Sequence, residues 1–205
     1  TVAPTSGRIL LEGQEIQGMR ADQVARLGVA RTFQTTHLFD AATVLDNLIV
    51  GHRLRTESGL LDVIFNSARL RREEALCRHK AEEALEFVGL THMAHRIAAD
   101  ISQEERKRVA IALALATDPK LILLDEPAGG VNPEETAGLG RLIRKLVEHG
   151  KTVCLIEHKM DMIMRLADRI LVLNYGEKIA EGTPEEIRNN PVVIEAYLGA
   201  EHVEA

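Results

Sequence analysis

Two acids, Asp125 and Glu126, stand side by side after four apolar residues, Leu121-Ile122-Leu123-Leu124, and before Pro127. Four consecutive branched apolars suit a strand covered on both faces, as in a parallel sheet. Pro127 stops the ladder because it has no N–H to donate. Open α/β sheets bind ligands at the carboxyl ends of such strands. Adjacent carboxylates repel unless a cation or a reacting water uses them, so this strand end points to metal-assisted phosphate chemistry. Asp125 then belongs to a Mg²⁺ shell, reached directly or through water, since Mg²⁺ prefers hard oxygens and substrate phosphates. Glu126 polarises or deprotonates the attacking water, a role worth ~10²–10⁴-fold in rate. A buried strand followed by a solvated acidic turn explains the same residues without any chemistry.

Such a site needs a phosphate cradle. Gly150-Lys151-Thr152 imitates the end of a phosphate-binding loop, but the pattern requires a glycine five residues before Gly150, where Lys145 stands. Its context is also reversed, because it leaves a helix and enters a strand. These three residues read as a plain turn, and the chain has no other Gly-Lys-Ser/Thr.

Composition narrows the classes. The 205 residues are 45% hydrophobic and 27% charged, ordinary for a globular protein. The net charge of −6 disfavours a nucleic-acid partner held by a basic field. No apolar stretch approaches the ~18–20 residues of a membrane span. Cys77 and Cys154 are too few and too far apart for a zinc site or a disulfide framework. The chain opens on Thr1 rather than Met, which suggests a fragment or a processed form.

The elements that must position the two acids alternate in type. Ile9-Leu10-Leu11 between Gly7 and Gly13 reads as a hairpin arm, and residues 28–33 as a strand ending at Gln34. Residues 43–89 have helical texture, with Ala75, Cys77, Ala81, Ala84, Leu85 and Val88 on one side and Gly89 as C-cap. Residues 109–116 are apolar on nearly every side, which predicts a deeply buried helix. After the strand at 121–124, Asn132-Pro133-Glu134-Glu135 opens a helix with an N-cap Asn and Pro at the first position. Its apolar stripe is Leu139, Leu142, Ile143, Leu146 and Val147. Residues 152–156 predict a second buried strand, Met160, Ile163, Met164 and Ala167 a helix, and residues 170–173 a third strand. The chain then turns at residues 174–177 into 178–181, and Thr183-Pro184-Glu185-Glu186 starts another helix. Strands alternating with helices indicate an α/β domain with a parallel sheet.

Taken in order, these segments resemble the ATP-binding cassette subunits of ABC transporters, and most of all those of branched-chain amino acid importers. The resemblance runs from Pro4 to Gly199. Arg31-Thr32-Phe33-Gln34 is similar to the glutamine loop, residues 121–127 to the strand with the metal-binding Asp and catalytic Glu, and residues 128–133 to the dimer-contact loop. Ile156-Glu157-His158 resembles the switch-histidine loop, and the tail from Gly182 to Gly199 is typical of this importer branch. The resemblance implies one P-loop NTPase-like α/β domain over residues 1–205. It has a parallel core sheet, an N-terminal antiparallel β remnant, and a helical subdomain at about 43–116. It implies ATP and Mg²⁺ as cofactors, with Asp125 and Gln34 at the metal, Glu126 and His158 as catalytic residues, and Asn132 near nucleotide. It also implies a second cassette and transmembrane permease subunits as partners, and a peripheral place on the cytoplasmic face of the inner membrane.

Two departures qualify the inheritance. The family's phosphate loop precedes Pro4, and its absence here suggests an N-terminally truncated subunit, expected to bind little nucleotide by itself. The second departure is internal. The family signature reads Leu-Ser-Gly-Gly-Gln, whereas this chain reads Ile101-Ser102-Gln103-Glu104-Glu105. Glycine allows close backbone approach to phosphate, and a helix N-terminus favours the anion. Glu104 adds bulk and charge there, and two unit charges ~4 Å apart repel by up to ~4 kcal/mol at an effective dielectric of ~20. Ser102 and Glu105 instead fit a capping box. The half-site of Ser102, Gln103 and Glu104 is therefore expected to be impaired. The readings beside the importer are a degenerate cassette that dimerises without catalysis, and the cassette of another ABC system such as lipopolysaccharide export.

Overall fold

The computed structural model describes residues 4–32, 38–53 and 67–201. Strands β1 (Leu10–Leu11) and β2 (Gln14–Glu15) pair antiparallel across Glu12-Gly13, both at positive φ, as a two-residue hairpin turn requires. Helix α1 (Ala21–Arg26) follows, and β3 (Val29–Arg31) enters the main sheet. Within the described residues the strand expected to reach Gln34 stops at Arg31, although the Thr32 N–H still donates to the Leu123 carbonyl at 2.9 Å. Gln34 itself lies outside the described residues.

The helical subdomain contains α2 (Val44–Arg53), α3 (Ala68–Val88) and α4 (Gln103–Leu115). Ser67 caps α3 by accepting the Leu70 N–H, and Gly89 ends it in the left-handed region with φ 77°. Cys77, Ala81, Ala84, Leu85 and Val88 are buried as expected, joined by Leu70. Ala75 is exposed, a correction with a simple cause: it lies two residues from Cys77, and positions two apart face opposite sides of a helix. In α4, Val109, Ile111, Ala112 and Ala114 are buried, as the apolar run predicted.

Strands β3, β4 (Leu121–Asp125) and β5 (Thr152–Ile156) form a parallel sheet in that order. Helix α5 (Pro133–Glu148) links β4 to β5 and covers one face. Ile122 and Leu124 join Val109, Leu139, Leu142 and Leu146 in a single core. The expectation that both faces are covered does not hold among the described residues. Leu121 and Leu123 are only half-buried, and Thr152, Cys154 and Ile156 are exposed, Ile156 at 59%. The alternation follows from the pleat, which sends successive side chains to opposite faces. Val147, expected on the apolar stripe of α5, is exposed at its edge.

Helix α6 (Met160–Leu166) leads to β6 (Ile170–Asn174) and β7 (Glu177–Gly182), an antiparallel pair turned at Tyr175-Gly176. Among the described residues, β6 is in a sheet with β7 alone and does not extend the parallel sheet. This pair packs with α7 (Pro184–Arg188) and α8 (Pro191–Glu201) around a second small core of Ile170, Ala180, Ile187 and Val193. Glu186 closes the α7 cap by accepting the Thr183 N–H at 2.7 Å and hydroxyl at 3.0 Å.

Those two hydrogen bonds, the backbone one first, hold the Glu186 carboxyl below its ordinary range. Because the folded state depresses it, its contribution is present above the unfolded value and is lost as pH falls through the folded one. A Cβ added to Gly182 would stand 2.6 Å from Glu186 Oε2. Gly182→Ala is expected to displace that carboxylate and lower the melting temperature by about 2 °C at neutral pH. The deficit should shrink as pH falls through the folded value, where the wild-type cap is also lost. Thermal melts of both proteins across that range check the pattern.

Candidate functional site

β4 delivers Asp125 at its last position, in register with Ile156 of β5. The ladder runs one rung further, since the Glu126 N–H donates to the Ile156 carbonyl at 2.9 Å. Pro127 cannot continue it. Glu126 has φ 45°, uncommon for a residue with a side chain, and such backbones gather at functional sites. Its carbonyl accepts the Gly129 N–H at 3.0 Å and Lys107 Nζ, from α4, at 3.4 Å. The chain is thus turned sharply out of the sheet at Glu126, leaving the carboxylate partly accessible.

Because β4 and β5 are parallel neighbours, their carboxyl ends open on the same side. His158, two residues beyond β5, places Nδ1 3.9 Å from Glu126 Oε1 and 3.8 Å from Glu157 Oε2. The adjacent Asp125 and Glu126 and the sequence-distant His158 therefore gather at the carboxyl ends of two neighbouring strands. Arg31 belongs to the same cluster, donating from Nη2 to Asp125 Oδ2 at 2.9 Å. Arg31 is in register with Leu123, so period-two alternation puts its side chain on the face of Asp125. The register between β3 and β4 that brings it there has no local signal in the sequence. Glu157, Lys159 and Lys107 carried none beyond their nearness to the named residues.

The residues present suit Mg²⁺. Among the described residues no group of three His, Cys, Asp or Glu side chains gathers into a protein cage. Mg²⁺ commonly takes one or two carboxylates and draws its remaining ligands from water and substrate phosphate. Asp125 supplies one hard carboxylate at the strand end, with Glu126 beside it.

The remaining candidates are placed differently. Asn132 is the N-cap of α5: its Oδ1 accepts the Glu135 N–H, and its own N–H donates to Glu135 Oε2, both at 2.9 Å. Ser102 caps α4 in the predicted box, accepting the Glu105 N–H at 3.2 Å while Glu105 Oε2 accepts the Ser102 N–H at 2.6 Å. Gln103 is exposed. Glu104 does not project ahead of the helix as an open charge. Its carboxylate folds back onto Arg108 Nε and is only 15% exposed, while Arg108 Nη1 donates to the Val88 carbonyl at 3.1 Å. The expected repulsion at this helix start is therefore reduced by an intrahelical partner, while the bulk of the side chain remains. α4 reaches the strand ends through Lys107.

A parallel sheet with Asp-Glu at one strand end and His at the next, wrapped by a helical insertion, defines a P-loop NTPase-like α/β protein. The profile of the ABC transporter family matches residues 1–129, and that of the branched-chain amino acid ATP-binding cassette transporter matches residues 177–203. The chain belongs to the ABC transporter family. It is 43% identical over 197 residues to the high-affinity branched-chain amino acid transport ATP-binding protein LivG of Escherichia coli (strain K12), spanning 96% of this chain and 77% of that one. It is 45% identical, over the same shares, to the corresponding protein BraF of Pseudomonas aeruginosa. Among solved structures, the ADP conformation of an ATP-binding cassette of an ABC transporter superposes with a TM-score of 0.80 at 33% identity, covering 95% of this chain and 78% of that one. A dimeric cassette in a post-hydrolysis state bound to ADP and Pi superposes at 0.71 with 25% identity, covering 89% and 75%. Among the described residues, no helix is long and apolar enough to cross a membrane.

Proposed function

We propose that this chain is the ATP-hydrolysing subunit of an importer for branched-chain or related amino acids. It works as one of two cassettes against transmembrane permease subunits, on the cytoplasmic face of the membrane. The observation that carries the reading is the meeting of Asp125, Glu126 and His158 at two adjacent parallel strand ends. The names of these two relatives, both branched-chain amino acid transport ATP-binding proteins, support the solute class.

Phosphoryl transfer asks a protein mainly for positioning and electrostatic stabilisation. Mg²⁺, when bound, supplies charge neutralisation to the phosphates. Asp125, whose carboxylate accepts from Arg31, is the residue that would hold it. Glu126 orients the attacking water and accepts its proton at a carboxylate oxygen, which the turned backbone presents outside the sheet. His158, whose ring is largely exposed, approaches the γ-phosphate from the β5 side. Gln34 relays the state of the site to the permeases, and Asn132 together with residues 128–131 faces the second cassette. The direct test is leucine uptake by vesicles holding the full-length subunit and its permeases. ATP-dependent accumulation that stops when EDTA removes Mg²⁺ is expected. Full ATP turnover without stimulation by leucine, isoleucine or valine transport would remove the solute assignment.

A cassette that dimerises weakly and turns over slowly is the second reading. It is favoured by the self-capped helix start at Ser102–Glu105 and by Glu104 where the signature has glycine.

A further inference from the structure

The residues flanking His158 are held more firmly than the histidine itself. The Glu157 side chain is fully buried, at 0% exposure, and a buried carboxylate is tolerated only when its oxygens are hydrogen-bonded. Its Oε1 accepts the Ala128 N–H at 2.8 Å, and its Oε2 accepts the N–H groups of His158 at 3.0 Å and Lys159 at 3.3 Å. Lys159 reaches the same neighbouring loop from the other side, donating from Nζ to the Val131 carbonyl and to Thr136 Oγ1, each at 3.1 Å. Thr136 in turn donates its hydroxyl to the Asn132 carbonyl at 2.8 Å. The residue before His158 therefore grips the start of the 128–131 turn. The residue after it grips the end of that turn and the first turn of α5.

We propose that Glu157 and Lys159 are positioning residues that brace the histidine loop to the 128–132 loop, so that the two move as one unit. The consequence for the reaction rests on the function proposed above: contact of His158 with the γ-phosphate and contact of residues 128–132 with the second cassette become a single coupled event. Coupling of this kind needs a contiguous physical element that both sites bias, and the two side chains supply it. The histidine ring is largely exposed, while its backbone N–H is held by Glu157, which also holds the loop at Ala128.

Lys159→Met in the full-length subunit tests the brace, because it removes two hydrogen bonds without leaving a buried charge. Hydrogen exchange on the nucleotide-free protein should accelerate about tenfold across residues 128–132 and stay unchanged across 121–125, as expected for loss of a charge-assisted hydrogen bond in a locally opening segment. ATP turnover should fall about tenfold in kcat, with KM for ATP within twofold and the Hill coefficient for ATP dropping toward one. Lys159→Arg, which keeps a donor within reach, should return kcat to within threefold of wild type. Glu157→Gln, which keeps the acceptor for Ala128, should reproduce part of the exchange effect. Unchanged exchange across 128–132 in Lys159→Met overturns the brace. So does a lowered melting temperature with kcat and the Hill coefficient untouched. A wild-type subunit without ATP turnover would sink the functional reading, and the exchange measurement would still decide the brace.

Discussion

Glu126→Gln in the full-length subunit is expected to slow ATP turnover by ~10²–10⁴-fold while leaving ATP binding within a few-fold of wild type. Glutamine keeps the size of the side chain and can still orient a water, but it cannot accept a proton. The fold is insulated from the change, because Glu126 is held through its backbone: its N–H donates to Ile156, and its carbonyl accepts from Gly129 and Lys107. Phosphate release and nucleotide binding should be measured separately on the same preparation. Turnover within threefold of wild type would take the proton-accepting role away from Glu126. A parallel loss of binding would make the residue a structural one.

Restoring glycine at the start of α4 is expected to have the second-largest effect. The triple change Gln103→Gly, Glu104→Gly and Glu105→Gln should tighten ATP-dependent dimerisation by about ten- to a hundredfold. The ceiling is the ~4 kcal/mol that two unpaired charges would exert at ~4 Å, and the Glu104–Arg108 pairing lowers the gain well below it. Glu104→Ala separates the two contributions. If Arg108 already neutralises the carboxylate, removing the charge alone should give less than a threefold gain, and glycine the remainder by admitting closer approach. The same triple change should lower thermal stability, because it removes the Arg108 partner and places two glycines in the first turn at roughly 1 kcal/mol each. Dimer dissociation constants by sedimentation, with and without ATP, give both numbers. No gain in the triple variant would mean that this helix start does not face nucleotide in the assembled pair.

The sequence made the chemistry easier to read than the surroundings. Asp125 and Glu126 were legible because a strand ends at an abrupt change from apolar to acidic residues and a proline. Asn132 and Ser102 were legible as caps because capping boxes are local, spanning four residues. The exposed face of β5 was not, since a short apolar run looks the same whether one or both faces are covered. Ala75 was misplaced because small residues fit either side of a helix and carry little periodic signal. Arg31 pairs with Asp125 across a sequence separation of 94 residues, and no local pattern announces such a contact. The direction of the Glu104 carboxylate was hidden for a related reason. Its partner Arg108 sits one helical turn away, and at that spacing a pair competes with solvent on nearly even terms.

The parallel pairing of β3 with β4 also sets a route for folding. The two strands are separated in sequence by the whole helical subdomain, so their register cannot form until that long loop has closed. Loop closure over such a span is entropically unfavourable and slow compared with the microsecond formation of local helices. During synthesis, α2, α3 and α4 are complete before β4 exists, and β3 must wait without its neighbour. The helical insertion is therefore expected to form first, and the Arg31–Asp125 contact, which needs the β3–β4 register, last. Stopped-flow refolding should show helix signal preceding the burial of Ile122 and Leu124, with the pairing of β3 against β4 appearing only in the slowest phase.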